Sequence, residues 1–480
     1  MKLLRFFFLF CFVTLNVWSQ DQTPFYATMF LGDAKALQKE LPSEVTILET
    51  FGYEAVVQMT PHASHKLHDR ILVHGPGYVF KSSYEAALES LRKTVVPNRA
   101  TLAYTITENQ LVNEVLDVVN GQNIEDQILE LEAYGSRHHT LPTGTQAAMD
   151  LKTKWEAMIT AYGRTDASVR LYNHSSTSMP SVIMTIEGAE FPDEYVVTGG
   201  HLDSTSFITG NAPGADDDAS GIATITEAVR SLFEIGFVPQ RTIEIMAYAA
   251  EEVGLVGSNE IAQDYSNSSV NVVSYVQFDM TNYQGSANDV YFITDHTDNT
   301  LTTYLTELLN FYNSSGSHVI TYGMSQCNYG CSDHASWDDE GYPAAFPFEA
   351  SFGQHNGEIH TPNDEYSLVG TTEHAVKFSK LCATYLIEVS KGYQPLGVSS
   401  KEVPQVSVYT KNNLLYYQIG MGTNFEAFQL FDLQGRTVIQ LEGNFQGAGQ
   451  IELSNLPSGV YMVAFSSEKT AAVTKKVTLR

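Results

Sequence analysis

The stretch Gly199-Gly200-His201-Leu202-Asp203-Ser204 is followed, ten residues on, by Ala215-Asp216-Asp217-Asp218-Ala219-Ser220-Gly221. One imidazole and four carboxylates stand there among small residues. The apolar run just ahead of it, 194–198, reads as a strand, and 219–234 has helical spacing. Strand, loop and helix in that order are the repeating unit of an α/β sheet. Hard oxygen donors beside an imidazole suit a divalent cation such as zinc. In His201-Leu202-Asp203 the histidine can ligate while the carboxylate steadies its other ring nitrogen or the neighbouring loop. Capping of the following helix accounts for one aspartate of 216–218 and leaves two to be explained.

Further ligand-type residues lie outward from this stretch. Glu251-Glu252 follows the apolar run 245–250. Two adjacent acids at a strand end repel unless a cation sits there, and a ligand beside a general base answers that problem. Asp279 follows Val276-Gln277-Phe278, so its carboxylate is expected to be buried and to need a partner. His360 supplies a second imidazole. His201, Glu251-Glu252 and Asp279 all follow closely on strand-like runs, where α/β sheets gather their ligands. Five candidate ligands with several carboxylates suggest two metals.

The wider pattern agrees. Strand-like runs at 181–186, 194–198, 242–248, 274–278 and 289–293 alternate with helical patterns at 219–234 and 300–312, after helices at 124–133 and 145–160. The expected fold is α/β, with a central, mostly parallel mixed sheet flanked by helices, over residues 101–395. Residues 20–100 mix apolar runs (25–31, 55–59) with helix-like ones (33–41, 84–93) and carry none of these motifs. They read as a small α/β pro-region ending near Val96-Pro97-Asn98-Arg99. A linker, 396–404, leads to residues 405–480, whose alternation and glycine turns read as a small β-sandwich.

Composition bounds the function. With 43% apolar and 17% charged residues over 480 positions the chain is globular. A net charge of −28 argues against nucleic acid or an anionic membrane surface as partner. From His201 to His360 there are 22 acids against only Arg230 and Arg241. Such a face aids solubility and also attracts divalent cations and amines. Residues 1–19 read as a signal peptide: Lys2 and Arg5, an apolar run at 6–15, and a cleavage site at Val17-Trp18-Ser19. That run is too short to span a membrane, and no other segment is long and apolar enough. Export permits disulfides. Cys11 leaves with the signal peptide. Cys327 and Cys331 read as a short-loop disulfide, with metal binding as the alternative, and Cys382 reads as a buried thiol in a helix over 378–387.

At this point a resemblance emerges. Gly200-His201-Leu202-Asp203-Ser204, the stretch 212–221, Ala247-Tyr248-Ala249-Ala250-Glu251-Glu252-Val253-Gly254, Phe278-Asp279-Met280-Thr281-Asn282-Tyr283 and Ile359-His360-Thr361 resemble the M28 family of zinc aminopeptidases, in its secreted bacterial leucyl aminopeptidase branch. The resemblance covers roughly 105–392 and has all five ligand positions in order. It implies two Zn²⁺ per chain, with Asp217 bridging, His201 and Asp279 completing one site, and Glu252 and His360 the other. It further implies Glu251 as general base, a metal-bridging hydroxide as nucleophile and Asp203 as the partner of His201. Tyr329 would hydrogen-bond the tetrahedral intermediate, and Cys327 and Cys331 would form the branch's disulfide. Met280, Ile293, Phe348 and Phe352 would line an apolar pocket for the first substrate side chain. His355 stands where the family has a tyrosine.

The tail is similar to a type IX secretion sorting domain in Leu430-Phe431-Asp432-Leu433-Gln434-Gly435-Arg436, in 453–461 and in Lys475-Lys476-Val477-Thr478-Leu479-Arg480. The implied protein is a secreted zymogen. Its monomeric mature form would remove leucine or other apolar residues from peptides with a free N-terminus, after export by secretion machinery that reads 405–480. Independently of resemblance, a carboxypeptidase would be expected to carry an Arg or Lys for the terminal carboxylate. Residues 201–360 contain no Lys, and their two Arg lie outside the motifs. The absence of Gly-X-Ser-X-Gly and His-Glu-X-X-His disfavours a serine hydrolase and a thermolysin-like protease. Two alternatives stay in view: a single-zinc glutaminyl cyclase-like enzyme, and a non-enzymatic surface binding protein, which would not need Glu251 together with all five ligands.

Overall fold

The computed structural model describes residues 23–68, 75–92, 102–393, 406–411, 413–420, 424–453, 456–467 and 473–479. The expected signal peptide, the end of the pro-region near Arg99 and the linker at 396–404 lie outside the described residues. The chain divides into two compact units, Met1–Tyr393 and Gln394–Arg480.

The first unit begins with a small sheet of its own. It comprises β1 (Phe25–Phe30), α1 (Leu31–Glu40), β2 (Val45–Phe51), β3 (Glu54–Met59), α2 (Pro61–His68), β4 (Tyr78–Lys81) and α3 (Tyr84–Arg92). The strand order is β2-β3-β1-β4, antiparallel throughout. Ala27, Met29, Val57, Met59 and Leu37 form its core, separate from the main one.

Three helices follow, α4 (Asn109–Val118), α5 (Gly121–Glu132) and α6 (Pro142–Ala161), and then the large sheet. Its members are β5 (Ala167–Tyr172), β6 (Ser181–Ile186), β7 (Phe191–His201), β8 (Arg241–Tyr248), β9 (Asn271–Gln277), β10 (Val290–Ile293), β11 (Tyr322–Ser325) and β12 (Ala344–Phe348). Between and after them run α7 (Gly221–Glu234), α8 (Val256–Asn267), α9 (Asn299–Tyr312), α10 (His334–Asp339) and α11 (Glu373–Ser390). The order is β11-β10-β12-β9-β7-β8-β6-β5. The central pairs β12/β9, β9/β7 and β7/β8 are parallel, whereas β8/β6 and β6/β5 are antiparallel. This is the mixed sheet expected from the alternation of runs. β8, β9 and the second half of β7, from Val196 to His201, are buried almost throughout, as central strands covered on both faces must be. α7 and α11 pack an apolar stripe (Ile222, Ile225, Val229, Phe378, Leu381, Tyr385) into the main core. Cys382 is a buried free thiol on α11, near the Thr198 hydroxyl. No helix among the described residues is long and apolar enough to cross a membrane.

The second unit contains antiparallel strands β13 (Val406–Lys411), β14 (Leu414–Ile419), β15 (Phe425–Phe431), β16 (Thr437–Phe445), β17 (Ala448–Glu452), β18 (Gly459–Ser466) and β19 (Val473–Leu479). They form sheets of order β13-β14-β17 and β16-β15-β18-β19. Inward residues from both (Leu415, Ile419, Phe428, Leu430, Val463, Phe465) share one core, the arrangement of a β-sandwich.

Candidate metal centre and active site

The three central parallel strands deliver the ligand-type residues to one edge of the sheet. β7 ends on His201, opposite Tyr248 of β8, and Gly199 pairs with Gln277 of β9. The chain continues from β8 into Glu251 and Glu252 and from β9 into Asp279, so neighbouring strand ends bring their side chains together. The backbones converge tightly: a Cβ on Gly200 would lie 2.5 Å from the Phe278 carbonyl oxygen and 2.6 Å from Asp218 Oδ2. Only glycine fits there.

Asp217 stands at the centre. Its Oδ1 lies 2.9 Å from His201 Nε2, and its Oδ2 lies 3.1 Å from His360 Nε2. His201 Nε2 is also 3.5 Å from Asp279 Oδ1, and His360 Nε2 is 3.1 Å from Glu252 Oε2. His201, Asp217, Glu252 and Asp279 are buried, and the His360 side chain is 14% exposed. Donor atoms of His201, Asp217 and Glu252 lie within 4.8 Å of one another, as do those of His201, Asp218 and Asp279. Nitrogen and carboxylate donors converging in this way fit zinc. The electrostatics point the same way. Burial alone would lower both imidazoles. Asp279, with hydrogen bonds to Asp203, Asp217 and Asp279, instead holds His201 well above its usual range. Glu252 and Asp217 raise His360 to about 10. Burial, then the charge of Asp279, pushes Asp218 well above the carboxylate range. Such a concentration of buried acid calls for positive charge.

Carboxylates that do not face both histidines hold the ligand loops by their main-chain N–H groups. Asp203 accepts from Glu251 N–H at 3.0 Å and Glu252 N–H at 3.4 Å. His201 Nδ1 lies 3.0 Å from the Asp203 carbonyl oxygen and 3.6 Å from its carboxylate, so it is the main chain of Asp203 that stands closer to the ring. Asp218 accepts from His201 N–H at 3.0 Å, Gly221 N–H at 2.8 Å and Met280 N–H at 3.2 Å. Asp364 accepts from Asp216 N–H at 3.2 Å and Asp217 N–H at 3.1 Å. Asn356 Nδ2 bridges Asp216 and Asp364, and burial with the charge of Asp216 pushes Glu349, which meets Asp216, well above its usual range. Asp364, Asn356 and Glu349 were not picked out by the sequence. The one signal for Asp364 is its place four residues beyond His360 in the same loop.

The remaining expected residues also gather here. Cys327 and Cys331 form a disulfide. Met280, Ile293, Phe346, Phe348 and Ile359 cluster with it, and Tyr329 and Phe352 pack on the cluster. His355 lies against both Phe348 and Phe352, at ring separations of 5.8 and 5.6 Å. Phe346 was not among the expected pocket residues. Glu251 is fully buried. Burial, then the charge of Glu251, pushes the Tyr329 phenol well above its usual range.

The N-terminal sheet reaches the same place. Gly75, at φ +77°, approaches so closely that a Cβ would lie 2.5 Å from the Cys331 carbonyl oxygen and 3.5 Å from Glu251 Oε1. Beyond it, Phe80 N–H donates to the Gly254 carbonyl at 2.9 Å. Val79 packs with Leu255 and Ala335, and buried Lys81 lies 3.7 Å from Asp339.

Residues 181–384 match the family described as Peptidase family M28, and residues 411–480 match the Secretion system C-terminal sorting domain. Leucine aminopeptidase 1 of Ajellomyces capsulatus is 31% identical over 324 residues, 65% of this chain and 82% of that protein. Leucine aminopeptidase 1 of Coccidioides posadasii is 33% identical over 58% of this chain and 73% of its own length. The LapA aminopeptidase of Legionella pneumophila is similar in structure, with a TM-score of 0.68 and 32% identity, over 78% of this chain and all of that one. LapB of the same organism has a TM-score of 0.68 at 26% identity, over 77% of this chain. The extent of these matches, over the segment whose strand ends assemble the ligand cluster, makes this chain a member of peptidase family M28.

Proposed function

We propose that this protein is an exported di-zinc aminopeptidase that removes leucine and other apolar residues from the N-termini of peptides. The observation that carries the reading is the geometry of Asp217, whose two oxygens face two different imidazoles at 2.9 and 3.1 Å. That is what a carboxylate shared between two cations requires. His201 and Asp279 would complete one site, and Glu252 and His360 the other. Zinc, when bound, lowers the pKa of a coordinated water and polarises the scissile carbonyl.

The protein's own groups do the rest. Glu251, buried beside this cluster, accepts the proton of the attacking water and returns it to the leaving amine. The Tyr329 hydroxyl stays protonated, because burial and the charge of Glu251 oppose its ionisation, and so it can donate to the oxyanion. The cluster around Met280, Ile293, Phe346, Phe348 and Phe352 takes an apolar side chain, with His355 at its edge. An ammonium is the favoured substrate terminus. Arg137, buried in this region, is engaged with main-chain carbonyls, while Arg230 and Arg241 are paired with Glu227 and Glu194. They leave the acid of 201–360 to act on a cation. Residues 20–100 are read as a pro-region, and the approach of Gly75 to Glu251 supports a covering role. The match at 411–480 supports export and sorting to the cell surface or beyond.

The test is release of p-nitroaniline from leucine-p-nitroanilide after removal of the N-terminal segment. Activity should vanish on chelation and return with zinc at two equivalents per chain. Release that survives chelation would refute the reading.

A further inference from the structure

Arg137 is fully buried, and the mechanism above does not use it. Its Nε donates to the Leu202 carbonyl at 2.8 Å. Nη1 donates to the carbonyls of Leu131 at 3.1 Å and Pro213 at 2.6 Å, and Nη2 to that of Gly214 at 2.9 Å. Its main-chain N–H donates to Ser204 Oγ at 3.0 Å, and that hydroxyl donates to the Ala212 carbonyl at 2.7 Å.

The acceptors are informative. Leu202 lies between His201 and Asp203, while Pro213 and Gly214 lead into Asp216 and Asp217. One planar group therefore spans the loop that carries the first histidine and the loop that carries the shared aspartate. The guanidinium is rigid, and its donors have fixed directions. It therefore fixes the spacing of the two backbones, as a flexible ammonium could not. The charges of Asp218, Asp364, Asp203 and Asp217 act on it, while its hydrogen bonds go to carbonyls. Its place in the acidic region is thus that of a spacer between loops.

We propose that Arg137 is a positioning residue that sets the separation of the His201 and Asp217 loops, and with it the capacity to hold both zinc ions together. The inference rests on the two-zinc reading. Zinc titration of the wild-type full chain comes first, by competition with a chromophoric chelator: uptake of one zinc refutes that reading itself, and uptake of two leaves it standing and lets the variants decide. R137K keeps the charge and loses the fork. In the full chain it should keep the first zinc and bind the second about tenfold or more weakly. After cleavage of the N-terminal segment its kcat should fall about 10- to 100-fold with KM nearly unchanged. R164K, at a half-buried arginine paired with Asp166 outside the site, serves as control and should leave both zincs in place. Added guanidinium should restore the second zinc to R137A, and ammonium should not. R137K with wild-type affinity for both zincs and wild-type kcat overturns the proposal. If R137K does not fold, R137A decides: recovery of the second zinc with guanidinium supports the proposal, and zinc binding indifferent to guanidinium overturns it. Failure of both variants to fold, with or without guanidinium, also overturns it, because Arg137 would then serve the fold as a whole.

Discussion

Replacing Asp364 by asparagine tests whether the shared aspartate is held from behind. Asp364 is 2% exposed and takes three donors: Asp216 N–H at 3.2 Å, Asp217 N–H at 3.1 Å and Asn356 Nδ2 at 3.1 Å. Asparagine has the same shape with one acceptor oxygen, so at least one donor then meets an NH₂ group. A hydrogen bond to a charged group contributes about 1.5–3 kcal/mol net, and a buried donor left facing a donor costs about 1–3 kcal/mol. One bond lost and the others reduced to neutral strength give roughly 3–4 kcal/mol. The measurement belongs on zinc-loaded protein, where the cations oppose the burial that otherwise pushes this carboxyl up. The unit involved spans Met1–Tyr393. At about 2.1 cal/mol/K per residue its melting entropy is roughly 0.8 kcal/mol/K, so Tm should fall by about 4 °C. If half of the loss is expressed in metal binding, zinc affinity falls about 10- to 30-fold. Calorimetry and chelator competition read the two effects. A variant that melts within about 1 °C of wild type and binds zinc equally well would refute the reasoning.

Three further outcomes follow from the same geometry. Glu251→Gln should retain zinc and lose about 10²- to 10⁴-fold in kcat, and near-normal turnover would remove Glu251 from the role of base. His374 is 4% exposed, and burial lowers its imidazole to about 4. The unfolded chain therefore binds a proton near pH 6.5 that the folded one refuses. Stability should fall as pH drops from about 6.5 to 4, with about 2 kcal/mol lost at pH 5 through this residue. His374→Asn should flatten that part of the pH profile, and an unchanged slope in urea melts would contradict it. Cleavage within residues 93–101 should raise activity only when the N-terminal segment also dissociates. Equal activity of the uncut chain would rule out a covering role.

The central fold was legible because its strands are bounded by sharp changes of composition. The run at 181–186 coincides with β6, and the runs at 242–248 and 274–278 fall within one to three residues of β8 and β9. These strands are buried on both faces and read as continuous apolar segments. Two other strands, one at the edge and one inside the sheet, were not legible. β5, Ala167–Tyr172, alternates between half-buried Ala167, Val169 and Leu171 and exposed Ser168 and Arg170, but it is short and none of its residues is fully buried. β12, Ala344–Phe348, carries Pro347, which counts against a strand, yet it is buried and pairs with β9 and β10. The three-residue pairing of β10 with β12 fits a proline there, as a longer ladder would not. Helix α8, Val256–Asn267, has Gly, Ser and Asn in its first turns and little helical propensity of its own. Packing and the turn after Glu252 make it, rather than its own preference.

The site divides along the same line, and for a physical reason. A metal ligand must present a side chain of a particular chemistry close to others, so strand ends and glycines mark it in the sequence. The proposed ligands His201, Glu252 and Asp279 carry such marks, and so does Glu251, the proposed base beside them. A residue that holds ligand loops in register works on N–H and carbonyl groups, which every residue possesses. Arg137 binds the carbonyls of Leu131, Leu202, Pro213 and Gly214, and none of those side chains has to complement it. Asp364 likewise binds the N–H groups of Asp216 and Asp217 from 148 and 147 residues away. Apart from the place of Asp364 four residues beyond His360, nothing local distinguishes either from an ordinary surface charge, since the partners they hold together become neighbours only once the sheet has formed. The visible half of the site is therefore the half proposed to hold metal, and the half that spaces it has to be read from the folded chain.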